Sequence, residues 1–600
     1  MKEYDIRIRL KELTGSDGSF SLKDPVFYCA VKKALRKSGA NPESSGDIVI
    51  LKRSFDFRPG REPAVELKLS IGLGRRSASS GRIVPVNTNR MQPVIAGFGP
   101  AGIFCGLTLA RAGLRPVILE RGNDIDGRTE KVKRYWETGI IDENTNVQFG
   151  EGGAGAYSDG KLTTLVREKN RLGREVLETF VEFGAPEDIL IDSHPHIGTD
   201  LLRNVVKNIR NEIIRLGGTV LFGAKLTGIG ASGGSICRAV YETETGTSEI
   251  RTDAVFLAIG HGARDTFRML LSSGISLSPK PMAVGFRIEH PQSLIDHIQY
   301  GEYAPLMSKK YPAIYKLSSR LAKSADISVP VAAGNPQAGQ GNIRSAFTFC
   351  MCPGGYVVNA SSEAGGLVTN GMSYSARDGV NANSAILVGV TPEDYLPYGS
   401  NSGSGNGNGN GPGGEFNDCN GDPLAGIVFQ QAIEKKAFEL TGSTGRLPMQ
   451  KLKDFSRSVT EKYGRELSEF RKNGAISVGL PSRREGSAQF YENFTNQTCG
   501  AAEEADISGL FPSFINLSVL NGILEFDRRM AGFGDPEAIL TAPETRSSCP
   551  VRILRDPVNL ESISVQGLYP AGEGAGYAGG ITSSAIDGIR AAESYISKLT

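Results

Sequence analysis

The chain has 600 residues, too many for one compact hydrophobic core, so we expect roughly two to four domains. Its composition, 39% hydrophobic and 22% charged, is ordinary for a globular protein, and a net charge of +2 argues against a surface built wholly for nucleic acid. No apolar stretch is long enough to span a membrane, the N-terminus lacks the apolar segment of a signal peptide, and the eight cysteines are scattered. These features predict a cytoplasmic protein that does not bind membranes and has no disulfide framework.

The first 85 residues predict a small α+β domain. Alternating apolar and charged residues over 4–11 indicate a strand, 24–38 a helix, and 47–57 and 64–71 two further strands. Residues 1–90 hold 18 Lys and Arg against 10 Asp and Glu, a net charge of +8. This leaves open nucleic-acid binding through residues 1–85, although a solvated basic surface is the commoner explanation. A linker rich in Ser, Gly and Arg follows at 74–82.

Residues 93–122 contain the strongest functional motif. A short apolar strand leads into a G-x-G-x-x-G turn, an apolar helix follows, and a second strand ends at Glu120. In this motif the first glycine allows the tight turn, the second lets the backbone approach a pyrophosphate, and the third allows close helix packing. The helix N-terminus attracts the phosphates, and the terminal acid suits a ribose diol. We therefore predict a dinucleotide site that includes Gly97, Gly99, Pro100, Ala101, Gly102, Glu120 and Arg121.

We expect three later glycine-rich strings to complete this site. Residues 146–162 are a glycine-rich loop, for which a flexible surface loop is the alternative; 253–263 is an apolar strand that ends in Ala-x-Gly. Residues 567–581 form a second strand, glycine turn and helix, but without a following strand and acid, so we expect them to close the first site. The predicted contributors are Gly152, Gly153, Ser158, Asp159, Gly160, Ala258, Gly260, Gly572, Glu573, Gly579, Gly580 and Ile581.

From about residue 279 the composition changes, which favours an inserted domain. Residues 400–414 are almost entirely Ser, Gly and Asn and predict a disordered surface insert. The expected division is a basic domain at 1–85, a nucleotide-binding domain at 91–275, the inserted domain at 276–560 and the returning part of the nucleotide-binding domain at 561–600.

Together these strings resemble the FAD-dependent oxidoreductases that have a glutathione-reductase-like nucleotide fold. The chain is most similar to the FAD-dependent dehydrogenase family of bacteria and plastids, through residues 149–155, 158–162, 284–291, 348–355, 370–375 and 569–581. The resemblance implies an α/β fold with FAD as cofactor. It would comprise a discontinuous Rossmann-type FAD-binding domain, an inserted α+β substrate domain and the small N-terminal α+β domain. It also implies that Glu573 meets the ribityl or pyrophosphate end of FAD, but it names no substrate.

The catalytic candidates are Lys161, Arg287 and His290. His290 and His261 are the acid/base candidates near the flavin ring, and Arg287 is either a clamp for a substrate carboxylate or part of a structural salt bridge. Lys161 either stabilises charge on the flavin or binds substrate, with a surface lysine as the alternative.

The paired cysteines and the paired histidines do not indicate further catalytic or metal sites. Cys350 and Cys352 favour a structural over a redox role, and His194 with His196 lacks the further ligands of a metal site, so no metal is predicted. Only one complete dinucleotide fingerprint is present, so the flavin would be reduced by its substrate or by NAD(P)H bound transiently. The predicted function is hydride transfer between flavin N5 and a small organic substrate. The alternative is a flavin-containing protein that modifies or binds RNA.

Overall fold

A computed structural model describes residues 2–42, 47–72, 91–164, 171–319, 344–399, 421–472 and 482–600. The predicted linker at 74–82 and the predicted insert at 400–414 lie outside these residues. Within the described ranges, no helix is both long and apolar enough to cross a membrane.

The elements up to residue 272 are, in chain order, β1 (Lys2–Arg9), α1 (Pro25–Lys37), β2 (Ile48–Asp56), β3 (Ala64–Ile71), β4 (Val94–Ala96), α2 (Pro100–Arg111), β5 (Val117–Glu120), α3 (Ile125–Thr138), α4 (Leu172–Glu182), α5 (Thr199–Arg215), β6 (Thr219–Phe222), β7 (Lys225–Ser232), β8 (Ser235–Thr243), β9 (Gly246–Arg251), β10 (Val255–Leu257) and α6 (Arg264–Ser272).

The remaining elements are β11 (Leu277–Pro279), β12 (Met282–Pro291), α7 (Gln292–Tyr300), α8 (Ala304–Met307), β13 (Ala346–Cys352), β14 (Tyr356–Asn359), β15 (Thr369–Met372), β16 (Asn381–Val390), α9 (Pro392–Gly399), α10 (Ala425–Leu440), β17 (Leu447–Lys451), α11 (Leu452–Lys472), β18 (Thr498–Cys499), β19 (Ala502–Glu504), α12 (Ser513–Arg529), β20 (Ile539–Glu544), β21 (Val551–Ile553), β22 (Leu568–Pro570) and α13 (Ile581–Ser597).

The N-terminal elements follow the expected βαββ order. Their strands form an antiparallel sheet in the order β1-β3-β2, and α1 begins where the Asp24 side chain accepts a hydrogen bond from the Val26 N–H. The buried face of α1 packs on this sheet through Phe27, Val31 and Leu35. This core also takes in Ile191 and Met307 from later in the chain.

Much of the positive charge in this unit is paired with acids. Arg7 and Arg58 both bind Asp56, and Lys68 binds Glu3. These pairs neutralise part of the positive charge of residues 1–90. Nucleic-acid binding through residues 1–85 stays a prediction.

The sheet that contains the dinucleotide motif is five-stranded and wholly parallel, in the order β22-β10-β4-β5-β6. The chain runs from β4 outward to β5 and β6, then returns to the other side of β4 with β10. Such a reversal opens a crevice at the carboxyl ends of the strands, where ligands of doubly wound folds bind. The C-terminal β22 joins this sheet, and α13 packs on α2 so closely that a Cβ at Gly588 would collide with the Ala101 carbonyl oxygen.

A second, six-stranded sheet has the order β13-β16-β12-β20-β17-β19. One of its faces is apolar, and Phe286 on β12 there contacts Phe455 of α11 and Phe511. The alternate residues of β12, Arg287 and Glu289, are buried on the opposite face.

Candidate functional site

At two of the three glycines in the first motif, contacts within the fold leave no room for a side chain. Gly97 has a φ of +98°, and a Cβ there would collide with the Ala258 carbonyl oxygen at the end of β10. A Cβ at Gly102 would collide with the carbonyl oxygen of Gly97. These two glycines allow the turn, the neighbouring strand and α2 to touch.

Gly99 is different. Its φ is −83°, which any residue adopts, and among the described residues a Cβ there would meet only Gly153, at ordinary contact distances of 3.6 Å to Cα and 4.0 Å to N. Gly99 is also the N-cap of α2, whose first N–H groups have no partner within the helix. A backbone left bare beside free N–H donors is what a pyrophosphate needs, so the site fits a dinucleotide.

The loop at 146–155 is shaped by a buried arginine of α3. Arg128 donates through Nε to the Asn146 carbonyl at 2.9 Å and through Nη2 to that of Val147 at 3.0 Å. Its Nη1 lies within 3.2 Å of the carbonyl oxygens of Gly150, Glu151 and Gly153. One guanidinium therefore folds the loop around itself, and burial lowers its pKa to about 10.

Glu120 ends β5 as predicted and is buried. Its Oε2 accepts from the Phe98 N–H at 2.8 Å, and its Oε1 from the N–H groups of Gly122 and Gly150, both at 2.9 Å. A carboxylate offers about four acceptor sites, so three bonds leave one for a ribose hydroxyl. Glu120 also ties the dinucleotide turn to the glycine loop.

Arg121 is held by protein groups. Its Nη2 donates to Asp265 at 2.7 Å, and its guanidinium lies 4.2 Å from the centre of the Phe149 ring. Burial acts to raise the pKa of Asp265, but Arg121 and Lys225 outweigh it and hold that pKa at about 2. Direct contact between Arg121 and a cofactor stays a prediction.

The C-terminal string meets the end of β10. Glu573 Oε1 lies 2.6 Å from His261 Nδ1, and a Cβ at Gly574 would lie 2.5 Å from the Gly260 carbonyl oxygen. A Cβ at Gly572 would lie 2.7 Å from the Cβ of Ala101 in α2. The predicted Gly-Glu segment thus borders the same crevice.

The start of α13 touches the other two strings. A Cβ at Gly155 would lie 3.1 Å from Ile581 and 3.5 Å from Pro100, and Thr582 donates to the Leu162 carbonyl at 2.8 Å. Gly579 and Gly580, just before the helix, are exposed. The four predicted strings therefore converge on one crevice.

The segment 158–161 faces the second sheet. Ser158 donates to the Gly155 carbonyl at 2.8 Å, and a Cβ at Gly160 would lie 2.8 Å from the Gly198 nitrogen. Asp159 is buried and accepts from Arg377 Nη2 at 2.7 Å, while Lys161 donates to the Met351 carbonyl. Asp159 is thus held by protein groups, and Lys161 stands between the two sheets.

Two of the three catalytic candidates, Arg287 and His290, are buried and bonded to protein groups. Arg287 binds Glu544 through two hydrogen bonds, at 2.7 and 2.8 Å, so it forms the structural salt bridge that was the alternative to a substrate clamp. His290 is buried in the aromatic core of the six-stranded sheet, with Nε2 2.8 Å from the Phe533 carbonyl. Burial lowers its pKa to about 4. The side chain of His290 points to the opposite face of β12 from Arg287, and its role beside the flavin ring stays a prediction.

His261 is the histidine that borders the crevice. Its Nε2 is buried and has no hydrogen-bond partner among the described residues, while Glu573 occupies Nδ1. A carboxylate at Nδ1 fixes the tautomer and leaves the Nε2 lone pair to accept a hydrogen bond.

The cysteines of the C-x-C are thiols in a buried strand. Cys352 Sγ lies 3.2 Å from the Cys350 carbonyl oxygen, and burial raises the pKa of both, that of Cys352 to about 12. Reactive cysteines have lowered pKa values, so the structural role is favoured. In the described part of the chain, no cluster of three or more His, Cys, Asp or Glu side chains could hold a metal ion.

Comparison with known proteins gives the cofactor class. A family model described as "FAD-dependent protein, C-terminal domain-like" matches residues 281–482. An uncharacterized protein of Clostridium beijerinckii is 39% identical over 585 residues, which cover 94% of this chain and 95% of that protein. The chain therefore belongs to the same family as this Clostridium protein, and its residues 281–482 match the FAD-dependent domain model.

Solved flavoprotein structures show a weaker likeness. The quinol fumarate reductase chain FrdA of E. coli, as a variant, is 12% identical, with 86% of this chain and 71% of that one covered and a TM-score of 0.32. The glycerol-3-phosphate dehydrogenase of Bacillus halodurans, complexed with FAD, is 11% identical, with coverages of 51% and 48% and a TM-score of 0.25. These values are too low to support an inference about activity or substrate.

Sequence reasoning missed two residues that shape this FAD-dependent protein's crevice, Arg128 and Arg377. Arg128 lies on a charged helix whose spacing gives no sign of burial. Arg377 reaches Asp159 from 218 residues away, so only the folded chain brings them together.

Proposed function

We propose that the protein is an FAD-dependent oxidoreductase that transfers a hydride between flavin N5 and a small organic substrate. The observation that supports this most is Gly99, a glycine that borders the crevice and that no described part of the fold requires to be glycine. A bound FAD supplies the redox chemistry that these side chains do not provide on their own.

Each part of the crevice has a role in holding FAD. The start of α2, with Gly99 beside Gly153, would receive the pyrophosphate, and Glu120 would accept a hydrogen bond from the adenosine ribose. Glu573 and His261 border the region proposed for the ribityl chain. The exposed start of α13 at Gly580 offers N–H donors and a partial positive charge to the flavin ring.

Other residues keep this crevice in shape. Arg128 fixes the path of residues 146–153, and Glu151 accepts from the Ile125 N–H and from Arg210, both at 2.8 Å, which anchors the start of α3. Lys161 lies one residue from the contact between Leu162 and α13, so its ammonium is the cation best placed to act on a substrate or on the flavin ring.

The proposal is tested by purifying the full chain and measuring bound flavin. Yellow protein that releases FAD on denaturation is expected, and colourless protein that FAD fails to reconstitute would refute the proposal. Anaerobic mixing of the oxidised protein with NADH, NADPH and a panel of metabolites, followed at the flavin absorption band, identifies the reductant. NAD(P)H as a transient reductant is part of this proposal, since the chain has one dinucleotide fingerprint.

A further inference from the structure

A cluster of cationic and neutral nitrogen groups lies where the glycine loop meets the second sheet. Lys161 forms a backbone bridge with His196, and its ammonium reaches the Met351 carbonyl of β13. Leu162, the next residue, accepts from Thr582 in the first turn of α13. The cluster therefore adjoins the end of the crevice proposed for the flavin ring.

The acids near the cluster already have partners. Asp159 is bound by Ser373 and by Arg377 at 2.7 Å, with Lys161 3.7 Å away. Asp200 accepts from the N–H and the hydroxyl of Ser375, and it lies in the first turn of α5, where the helix dipole stabilises its charge.

The cations impose a positive potential on both nearby histidines. Burial is the main cause that lowers the pKa of His196, to about 4, and Arg377 and Lys161 lower it further against the opposing effect of Asp159. For His194 the order of causes is burial, then Lys161, then Arg377. Asp159 and Asp200 oppose this effect at His196, as Asp192 does at His194, but both pKa values remain lowered.

Two nitrogen atoms of the cluster lack a hydrogen-bond partner within the described parts of the protein. Arg377 Nε and His196 Nε2 are both buried there without a hydrogen-bond partner. Buried polar atoms in native proteins nearly always have a hydrogen-bond partner. Two such atoms without a partner in one cluster therefore indicate a ligand. The neutral imidazole can carry its proton on Nε2 and donate it.

The backbone is strained at the same place. Arg377 has a φ of +51° and Cys350, beside Met351, a φ of +49°, both in the left-handed region although neither is glycine. A Cβ at Gly354 would collide with the Arg377 carbonyl oxygen, so the glycine lets the two segments approach. Strain of this kind concentrates at ligand sites, where the surrounding fold enforces it.

We propose that Lys161, His196 and Arg377 form a binding site for a carboxylate group of the substrate. The unpaired nitrogens donate to the carboxylate oxygens, and Lys161, whose side chain is 29% exposed, meets the carboxylate from the solvent side. Asp159 holds Arg377 in place. This assignment rests on the proposed function only for its statement that the bound acid is the substrate.

The test uses benzoate as the carboxylate probe and benzamide as its uncharged counterpart. Each is titrated into the purified full chain at constant ionic strength, and binding is followed by the oxidised flavin spectrum and by thermal unfolding. Lys161→Met is compared with Lys453→Met, which removes an exposed lysine of α11 that binds Glu537, just before β20. Arg377→Lys is a second variant, which keeps the charge near Asp159.

We expect benzoate to bind saturably and benzamide not to bind. Lys161→Met should weaken benzoate binding at least about tenfold, as the loss of one charge-assisted hydrogen bond implies. Lys453→Met should bind as the unaltered chain does, and Arg377→Lys should retain part of the affinity.

Failure of this site is distinguishable from failure of the proposed function. Bound flavin together with equal effects of benzoate and benzamide, or equal benzoate affinity in the two lysine variants, would overturn the carboxylate site alone. Tighter binding of inorganic sulfate than of benzoate would overturn its assignment to a carboxylate. A chain without flavin whose unfolding temperature still rises with benzoate, and no longer does in Lys161→Met, would support the site and refute the flavin function.

Discussion

At the scale of single residues, glycines that look equivalent in the sequence do different work. Gly97 and Gly102 are required by contacts inside the protein, whereas at Gly99 a Cβ would find ordinary contact distances. The three positions of one motif therefore separate the demands of the fold from those of a ligand.

We predict that Gly99→Ala loses FAD binding and keeps its fold, because the added methyl group makes only ordinary contacts with Gly153 and would fill the space proposed for the pyrophosphate. Flavin content should fall at least about tenfold, while the unfolding temperature of the flavin-free protein stays near that of the original chain. Gly99→Val should behave in the same way and more completely.

Gly102→Ala is the matched control. Its methyl group collides with the Gly97 carbonyl, so it should destabilise the fold itself, by about 1–3 kcal/mol or more. Full flavin occupancy in Gly99→Ala would show that this turn is not the pyrophosphate site.

Glu289 predicts a pH dependence of stability. It is buried beside Arg287, accepts from Gln497 N–H and Asn381, and has an Oε2 without a partner among the described residues. Burial raises its pKa from 4.5 to about 7, against the opposing effects of those bonds and of Arg287. The folded chain thus holds a proton that the unfolded chain gives up between these pH values.

The stability that this proton provides is complete below pH 4.5 and is lost as the pH rises through about 7. The loss amounts to about 3 kcal/mol by linkage. Glu289→Gln mimics the protonated acid, so its unfolding temperature should exceed that of the original chain at pH 8 and match it near pH 5. If the two proteins differed in unfolding temperature by the same amount at both pH values, Glu289 would not be the group that titrates.

At the scale of elements, the glycine loop depends on α3. Arg128 satisfies carbonyl groups that a tight loop would otherwise leave buried without donors, and a Cβ at Gly150 would collide with its side chain. The loop and the helix are therefore one structural unit, although the sequence separates them by a charged stretch.

We predict that Arg128→Lys distorts the loop. A lysine offers three donors from a single atom, which do not span the five carbonyl groups that the guanidinium reaches. FAD affinity, measured by flavin fluorescence, should fall at least about tenfold, and proteolysis within 146–155 should accelerate. Arg134→Lys, exposed on the same helix, is the control and should change neither.

The elements that the sequence predicts well are those with local causes. The turn at Gly97, the α2 helix and the strand that ends at Glu120 follow each other directly, and the predicted helix at 24–38 is observed as Pro25–Lys37. The role of His290 stays a prediction: its motif borders the polar face of β12, while its own side chain alternates to the other face. Arg377 and Arg128 carried no local signal, because their roles come from contacts between distant segments.

At the scale of the whole molecule, a buried ionic network joins the two large sheets. Arg264 begins α6, just after β10 of the five-stranded sheet, and donates to Glu434 of α10 through two nitrogens at 2.8 Å. Arg546, which follows β20 of the six-stranded sheet, donates to the same carboxylate at 2.7 and 3.1 Å. Glu363 lies 2.6 Å from Arg264 at the edge of this network.

Glu434 is the centre of the network. Burial acts to raise its pKa, but the two arginines outweigh burial and hold the pKa well below the usual value of 4.5. The network thus stabilises the protein above pH 4.5, and this contribution is lost as the pH falls below that value.

We predict that Glu434→Gln destabilises the protein by about 3–5 kcal/mol, because it leaves two buried arginines with only Glu363 as a counter-charge. Urea unfolding, followed by the fluorescence of Trp136, measures the effect. The Nε1 of Trp136 donates to the Asn359 carbonyl of β14 at 3.0 Å, so its fluorescence reports on the contact between α3 and the three-stranded sheet β15-β14-β18. Glu439→Gln, exposed on the same α10 and paired only with Lys435, should change stability by less than about 0.5 kcal/mol. Equal midpoints for the two variants would show that the network does not hold the sheets together.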